Sequence, residues 1–114
     1  TTPNKELIIS IDLNLKKARF LEDHQIYHHV IFPAAGFIEL TIASLKQLKE
    51  SGGIFFENMN CLKALEIKNS NQSIQVLITE EKNGIYVLKY YSNENNHEDW
   101  ILHAEVKTYF TDSL

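Results

Sequence analysis

Apolar and polar residues alternate along most of the chain, and this period of two predicts β-strands. Between residues 7 and 15 every second residue is apolar, the pattern of a strand with one buried face. After Gly53 the alternation returns in several runs, which polar turns such as Asn83-Gly84 separate. Asn-Gly is a strong hairpin signal, and short connections favour an antiparallel meander. The last run alternates through Trp100, Leu102, Ala104, Val106, Thr108 and Phe110.

Between Pro33 and Gly52 the period changes, and the spacing predicts one long helix over residues 34–50. Proline suits the first position of a helix because its missing N–H group would have no partner there. Gly52 and Gly53 end the pattern. Apolar residues three or four apart form one stripe along the helix, which we expect to be buried. The stripe consists of Ile38, Ile42, Leu45 and Leu48, with Ala35 and Phe37 beside it.

One helix against one antiparallel sheet predicts a two-layer α+β domain. At 114 residues the chain is long enough for one modest core, so we expect a single domain over residues 1–114. The composition, 44% hydrophobic and 23% charged, is that of an ordinary globular protein. The chain opens with Thr-Thr-Pro rather than Met, and we therefore expect it to be a piece of a longer polypeptide.

Charge and hydropathy argue against two classes of partner. The net charge is −4, and the densest basic cluster is Lys16, Lys17 and Arg19, whereas a nucleic-acid surface needs a basic stripe. No apolar run approaches the roughly 20 residues of a membrane span. We therefore expect neither nucleic acid nor membrane as a partner. Cys61 is the single cysteine and cannot form an intramolecular disulfide, which suits a reducing, cytoplasmic environment.

Three histidines, His24, His28 and His29, fall within six residues just before the predicted helix. A metal site is one interpretation, since His24 and His28 are four apart, but Gln25 stands where a zinc-protease helix carries Glu. The β-branched and aromatic neighbours favour a strand instead, on which the histidines would be ordinary polar residues. Catalysis by His24 is the third interpretation. Asp23 would not orient it, because neighbours on an extended chain point to opposite faces.

The segment FLEDHQIYHHVIFPAAGFIEL, residues 20–40, resembles the N-terminal half of the dehydratase domains of modular polyketide synthases. His24 and Pro33 fall on the histidine and proline of the family's motif, residues 34–37 on its small-residue helix entry, and Glu39 on a helix acid. Downstream, FENMNCLKALEI resembles the strand after the helix, and DWILHAEVKTYF resembles the closing Trp-x2-His-Ala strand. The resemblance covers nearly the whole chain.

This resemblance implies a hotdog fold, in which an antiparallel sheet wraps around one long central helix, and a chain that is the first of two hotdogs. It implies loss of water from a β-hydroxyacyl thioester on the phosphopantetheine arm of an acyl carrier protein, which gives an α,β-unsaturated thioester. His24 would be the general base, and its ordinary pKa of about 6.5 suits proton abstraction near neutral pH. The acid would come from the second hotdog. No cofactor and no metal are implied.

The substrate contacts implied by the resemblance are at His28, Pro33, Ala34 and Gly36. His28 stands where the family has its motif glycine, and Ala34 where a glycine follows the proline, which changes how closely the backbone approaches the thioester carbonyl. In dehydratases with one hotdog per chain, a helix glutamate six residues after the motif proline comes from the dimer mate. Glu39 has this offset from Pro33 and would be the acid in a homodimer.

Two alternative functions stay open from the sequence. The product-template cyclase of aromatic polyketide synthases shares the fold and the histidine chemistry. A non-catalytic hotdog that binds acyl groups or a carrier protein is favoured by His28 in place of the glycine and by the missing acid.

Overall fold

The computed structural model describes residues 6–13, 25–26, 29–48, 52–67, 72–82, 84–94 and 99–111. Strands precede and follow one helix, in the order that the hydrophobic pattern predicts. The elements are β1 (Glu6–Leu13), β2 (Gln25–Ile26), β3 (His29–Ile31), α1 (Ala34–Lys46), β4 (Gly53–Cys61), β5 (Glu66–Ile67), β6 (Gln72–Lys82), β7 (Ile85–Glu94) and β8 (Ile101–Thr111).

Five strands form the main sheet in the order β1-β6-β7-β8-β4, and all neighbouring pairs are antiparallel. Strands β6, β7 and β8 follow one another in space, which confirms the predicted meander. Gly84, in the hairpin between β6 and β7, has a φ of +82°, a conformation that glycine adopts without strain. β4 lies at one edge of this sheet, and most of its side chains are exposed.

A second, smaller sheet corrects the expectation of a single sheet. Its strand order is β2-β3-β5, with Gln25 opposite Val30 and Val30 opposite Ile67. These strands are two or three residues long, too short to produce a clear period of two. The small sheet bears on function because β3 leads directly into α1.

Helix α1 ends at Lys46, before the predicted residue 50, and packs through a different face from the predicted one. Ile38 and Leu48 of the predicted stripe are 36% and 42% exposed. Leu45 of the same stripe is buried, so the prediction was correct at this residue and wrong at the two ends of the stripe. The residues that the helix buries are Phe37, Thr41, Ser44 and Leu45.

The side chain of Phe37 fixes the rotation of α1 about its axis. Its ring packs edge-on against Tyr90 of β7 and against Phe32, with centroid distances of 5.2 and 4.8 Å. Thr41, one turn later, is fully buried although it is polar. Its hydroxyl donates to the Phe37 carbonyl at 2.8 Å and is hydrogen-bonded to the Tyr90 hydroxyl. A pattern that counts threonine as exposed cannot detect this face.

One cluster of buried apolar side chains joins α1, the main sheet and the small sheet. Removing each large apolar side chain from water stabilises the fold by about 1.5–3 kcal/mol. The described part of the chain contains no candidate membrane-spanning helix. The cluster consists of Phe32, Phe37, Leu45, Leu65, Ile67, Ile74, Val76, Ile78, Leu88, Tyr90, Ala104 and Val106.

Candidate functional site

A groove of about 350 Å³ lies where β3 runs into α1, and we call it the Pro33 groove. One side is the end of β3 and the start of α1. The other side is residues 61–65, which run from the last residue of β4 to the residue before β5 and which we call the groove wall. Most of the lining is apolar, so the groove suits an acyl chain. The lining residues are Ile31, Phe32, Pro33, Ala34, Phe37, Cys61, Leu62, Lys63, Ala64 and Leu65.

The start of α1 forms the polar part of the Pro33 groove. Pro33 is the N-cap, with φ −77° and ψ 157°, and makes no side-chain hydrogen bond to the helix. The Gly36 N–H donates to the Pro33 carbonyl at 2.9 Å, whereas the N–H groups of Ala34 and Ala35 have no acceptor within the helix. No acidic residue lies in the first turn, so the positive end of the helix dipole is not neutralised there. This end of the helix therefore favours a carbonyl oxygen or an anion.

Gly36 allows the first turn of α1 to lie directly on the Phe32 ring. A Cβ at residue 36 would approach two atoms of this ring to 2.6 Å, which real contacts essentially never show. The Phe32 ring has little room to move, because it is buried and packs edge-on against Phe37. Gly36 does not line the groove itself. It leaves room for the Phe32 ring, which does line it.

Hydrogen bonds attach the groove wall to both sheets. On the side of the small sheet, the Phe32 N–H donates to the Leu65 carbonyl at 2.8 Å. On the side of the main sheet, the Leu62 N–H donates to the His103 carbonyl at 2.7 Å. The His103 imidazole is also bonded to the wall, since its Nδ1 lies 2.9 Å from the Lys63 carbonyl.

His103 is a buried histidine whose two ring nitrogens both have partners. It is 4% exposed, and its Nε2 lies 2.5 Å from the Ser92 hydroxyl. Burial lowers the pKa of His103, and the hydrogen bond to the Lys63 carbonyl opposes this only in part. The ring is therefore neutral at pH 7.

A second buried polar contact lies behind the groove, between Tyr90 and α1. The Tyr90 hydroxyl is hydrogen-bonded to Thr41 and lies 3.4 Å from the Phe37 carbonyl. Burial raises the pKa of Tyr90 to about 12, although the hydrogen bond to Thr41 acts in the opposite direction. Tyr90 therefore stays protonated near neutral pH and serves to hold the first half of α1 on the sheet.

The residues predicted to contact substrate have different positions. Pro33 and Ala34 line the groove. Glu39 is exposed on α1 and does not line it. His24 and His28 lie outside the described residues, so their roles stay predictions.

Sequence reasoning missed His103 as part of the site. The predicted alternation assigns Leu102 and Ala104 to the inner face of β8 and leaves His103 outside. In the structure Tyr90 pairs with Ala104 and Tyr91 with Leu102, so His103 is the extra residue of a β-bulge, which re-aims its side chain. Its place in the Trp-x2-His-Ala pattern was the only signal in the sequence that pointed to it.

The described part of the chain holds no group of three or more His, Cys, Asp or Glu side chains that could bind a metal ion. The pair His24 and His28, on which the metal interpretation depends, is outside that part. The groove side chains with polar ends, Cys61 and Lys63, are both exposed.

Comparison with known proteins identifies polyketide synthases among the relatives of this chain. The family profile described as polyketide synthase dehydratase domain matches residues 1–93. The highly reducing polyketide synthase ntnH of a Nectria species is 31% identical over 58 residues, which are 51% of this chain and 2% of that protein. The highly reducing polyketide synthase sorA of Penicillium rubens is 34% identical over 74 residues, which are 59% of this chain and 3% of that protein. The chain thus spans a small part of the synthases that it matches.

Solved structures show the same relationship in the fold. The dehydratase domain from the CurK module of curacin polyketide synthase superposes with a TM-score of 0.87 at 24% identity, over 96% of this chain and 39% of that one. Two variants of the CurK dehydratase, one Asp-to-Asn and one His-to-Phe, are described as inactive mutants and match with TM-scores of 0.87 and 0.86. Both cover 96% of this chain, at 24% and 23% identity and over 40% and 39% of their own chains. An antiparallel sheet with one helix and this profile match lead to one conclusion: the chain belongs to the polyketide synthase dehydratase domain family, as its N-terminal hotdog half.

Proposed function

We propose that this chain supplies the N-terminal half of a dehydratase that removes water from a β-hydroxyacyl thioester. The substrate is carried by the phosphopantetheine arm of an acyl carrier protein, and the product is the α,β-unsaturated thioester. The observation that carries the proposal is the Pro33 groove, an apolar cavity of acyl size that ends at the uncapped start of a helix. We place this reaction in the cytoplasm, where we also expect the carrier protein.

Elimination requires that negative charge develop on the thioester oxygen while the α-proton leaves. N–H groups at a helix N-terminus stabilise such charge, because they are fixed donors at the positive end of the dipole. In this chain the N–H groups of Ala34 and Ala35 are the ones without an acceptor inside the helix. The thioester oxygen would accept from these groups, with the acyl chain along the Phe32 side of the groove.

The base of the proposed reaction is His24. This residue immediately precedes β2 in the sequence, and β2 pairs with β3, the strand that ends at the groove. The inactive His-to-Phe variant of the CurK dehydratase supports a histidine in the reaction of the related domain. A neutral imidazole near pH 7 takes the α-proton. After the acid has protonated the leaving hydroxyl group, the imidazolium gives its proton to solvent or to the carboxylate that remains, which restores both groups.

The acid that releases the hydroxyl group comes from a second hotdog. The inactive Asp-to-Asn variant of the CurK dehydratase supports an aspartate in the related domain. The exposed edge strand β4 suits pairing with that second unit, because it offers unpaired backbone groups along Gly53–Cys61. In the complete enzyme, α1 would be the central helix of a hotdog fold, with the main sheet wrapped around it. If a dimer mate takes the place of the second hotdog, Glu39 of that mate is the acid.

The test uses the longest natural polypeptide that contains this chain, with a β-hydroxyacyl carrier protein as substrate. We expect unsaturated product from the wild type and a loss in turnover on the order of 10²–10⁴-fold in His24→Phe, the usual contribution of a general base. His29→Phe is the matched control, because it makes the same substitution on a neighbouring histidine. Turnover in His24→Phe equal to that of the control contradicts the proposal.

A second pair of measurements separates the two sources of the acid. The chain of 114 residues is assayed alone and together with its natural continuation. Activity of the chain alone that Glu39→Gln abolishes supports the homodimer. Activity that needs the continuation and survives Glu39→Gln supports the second hotdog. Binding of the substrate without any product, or a cyclised product, would instead favour one of the two alternative functions.

A further inference from the structure

The bulge residue His103 is hydrogen-bonded to the groove wall through both its backbone and its side chain. Its carbonyl accepts the N–H groups of Leu62 and Lys63 at 2.7 and 3.2 Å. Its imidazole Nδ1 is 2.9 Å from the Lys63 carbonyl, so backbone and side chain of one residue bind the same short segment. Lys63 and Leu62 both line the Pro33 groove, whereas His103 does not. His103 can therefore influence the position of the groove wall without contacting the contents of the groove.

The two partners of the ring determine its tautomer. A backbone carbonyl accepts only, so the Lys63 oxygen requires the proton on Nδ1. In the neutral ring Nε2 is then an acceptor, and the Ser92 hydroxyl donates to it. Ser92 is itself buried on β7, which keeps water from competing for either nitrogen. The serine therefore holds the imidazole in the one form that can donate to the wall.

His103 joins the groove wall to the main sheet beyond the end of β4. Cys61 pairs with Ala104 at that end, and the next two residues, Leu62 and Lys63, are hydrogen-bonded to His103. The opposite side of the groove, in contrast, is held by ring packing of Phe32 and Phe37 and by the turn at Pro33. Loss of the bond between the His103 imidazole and the Lys63 carbonyl would therefore loosen the groove wall and leave the opposite side in place.

We propose that His103 is a positioning residue, which sets the width of the Pro33 groove by holding the Lys63 carbonyl while Ser92 holds the ring. The inference rests on the proposed function, because it assumes that the groove receives the acyl pantetheine. His103 does not touch the substrate. Its replacement should therefore weaken binding of the acyl group and leave the chemical step nearly unchanged, a division that general destabilisation of the fold would not produce.

Two substitutions of similar size distinguish the bond to the wall from the bond to the serine. The amide nitrogen of Asn in His103→Asn takes the place of Nδ1 and can donate to the Lys63 carbonyl. Gln in His103→Gln reaches the place of Nε2 near Ser92 and loses the bond to Lys63. Both variants are made in the longest natural polypeptide, and folding is checked by thermal unfolding.

Two readouts are measured for each variant. The first is hydrogen exchange of the backbone amides in residues 61–65. The second is the affinity for a 3-hydroxybutyryl pantetheine in which an amide replaces the thioester, together with kcat for the true thioester. In His103→Gln we expect exchange about tenfold faster and affinity about tenfold weaker, the effect of losing one hydrogen bond of about 1.4 kcal/mol, with kcat within about twofold. In His103→Asn both readouts should stay near the wild-type values.

Each outcome decides between the proposals. Unchanged exchange or unchanged affinity in His103→Gln overturns the positioning role, and so does an equal loss in both variants. Analogue binding by a wild type that does not turn over the thioester contradicts the dehydratase proposal and leaves the positioning role standing. A wild type that does not bind the analogue overturns both. If His103→Gln does not fold, the NMR resonance of the His103 Nδ1–H group is followed in the wild type instead. A shift of this resonance on analogue binding supports the positioning role of His103. An unchanged resonance overturns it.

Discussion

In the described part of the chain, two surface depressions of similar volume lie at opposite ends of α1, and they differ in chemistry. The Pro33 groove lies at the start of the helix. The second depression, here called the Glu80 cleft, is also about 350 Å³ and lies beyond the end of the helix. Volume alone therefore does not distinguish a substrate site from an ordinary cleft. The Glu80 cleft is lined by Glu6, Leu7, Leu48, Ile78, Glu80 and Tyr86.

Charge is what separates the two depressions. The Pro33 groove receives the positive end of the helix dipole, and the first turn carries no acidic residue. The Glu80 cleft lies near the negative end and contains two glutamates. Burial and then the charge of Glu80 raise the pKa of Tyr86, which indicates that the cleft disfavours a further negative charge. In the proposed reaction, a thioester oxygen that becomes negative during elimination would be stabilised in the groove and destabilised in the cleft.

The largest expected effect comes from filling the space that Gly36 leaves for Phe32. Gly36→Leu places a side chain where a Cβ alone would lie 2.6 Å from the Phe32 ring. We expect overpacking to lower the free energy of unfolding by about 3 kcal/mol. Thermal and urea unfolding measure this loss. Ala43→Leu, on the exposed side of the same helix, is the control and should cost little; equal losses in the two variants would contradict the packing described.

The next largest effect concerns the polar contact behind the groove. Thr41→Val keeps the shape of the side chain and removes the hydroxyl that binds Tyr90 and the Phe37 carbonyl. Leaving these buried groups without their partner should cost about 1–2 kcal/mol. Urea unfolding of Thr41→Val, Tyr90→Phe and the double variant forms a cycle. If the losses in the free energy of unfolding are additive, the two hydroxyl groups do not interact. The contact between Thr41 and Tyr90 would then not hold α1 on the sheet.

The pH dependence of stability is a smaller effect and is specific to the groove wall. The folded-state pKa of His103 lies below its ordinary value of 6.5, so below that pH the unfolded chain binds more protons than the folded one. Stability should therefore be complete above pH 6.5 and fall as the pH drops toward the folded-state pKa, by at most about 1.4 kcal/mol per pH unit. Unfolding of the wild type and of His103→Asn as a function of pH measures this contribution. A difference between them that does not change with pH would contradict the lowered pKa.

The smallest effect is expected in the Glu80 cleft. Glu80→Gln removes a carboxylate far from the proposed chemistry, so binding of the acyl pantetheine analogue should change by no more than about twofold, the range of ordinary surface substitutions. The pKa of Tyr86 should fall toward its ordinary value without reaching it, since burial is the larger cause of its shift. Ultraviolet titration measures the tyrosine. A large loss of analogue binding in Glu80→Gln would indicate that the acyl pantetheine binds in the Glu80 cleft and not in the Pro33 groove.

The sequence predicted the strands and the helix of the fold better than it predicted their faces. Alternation over residues 72–82 and 85–94 gave the hairpin and its strands, because each strand has one buried side. The rotation of α1 was not predicted correctly, because it depends on ring packing of Phe37 and on a buried Thr41 that satisfies its hydroxyl locally. The strands of the small sheet, two or three residues long, carry too few positions for any period.

The site was predictable only in part, for a related reason. Pro33 and Ala34 were predicted from a motif to contact the substrate. Both line the Pro33 groove, and the contact itself stays a prediction. His103 was not assigned a role, because the bulge that turns it inward exists only in the pairing of β7 with β8. A local pattern cannot detect a residue whose direction is set by a register shift between strands.

Amide chemical shifts can show whether the start of α1 receives the thioester. The longest natural polypeptide, labelled with ¹⁵N, is titrated with the amide analogue of 3-hydroxybutyryl pantetheine. We expect the backbone amide resonances of Ala34 and Ala35 to shift most and those of Leu48 and Tyr86 to keep their positions. Shifts at Leu48 and Tyr86 with none at Ala34 and Ala35 would contradict this expectation.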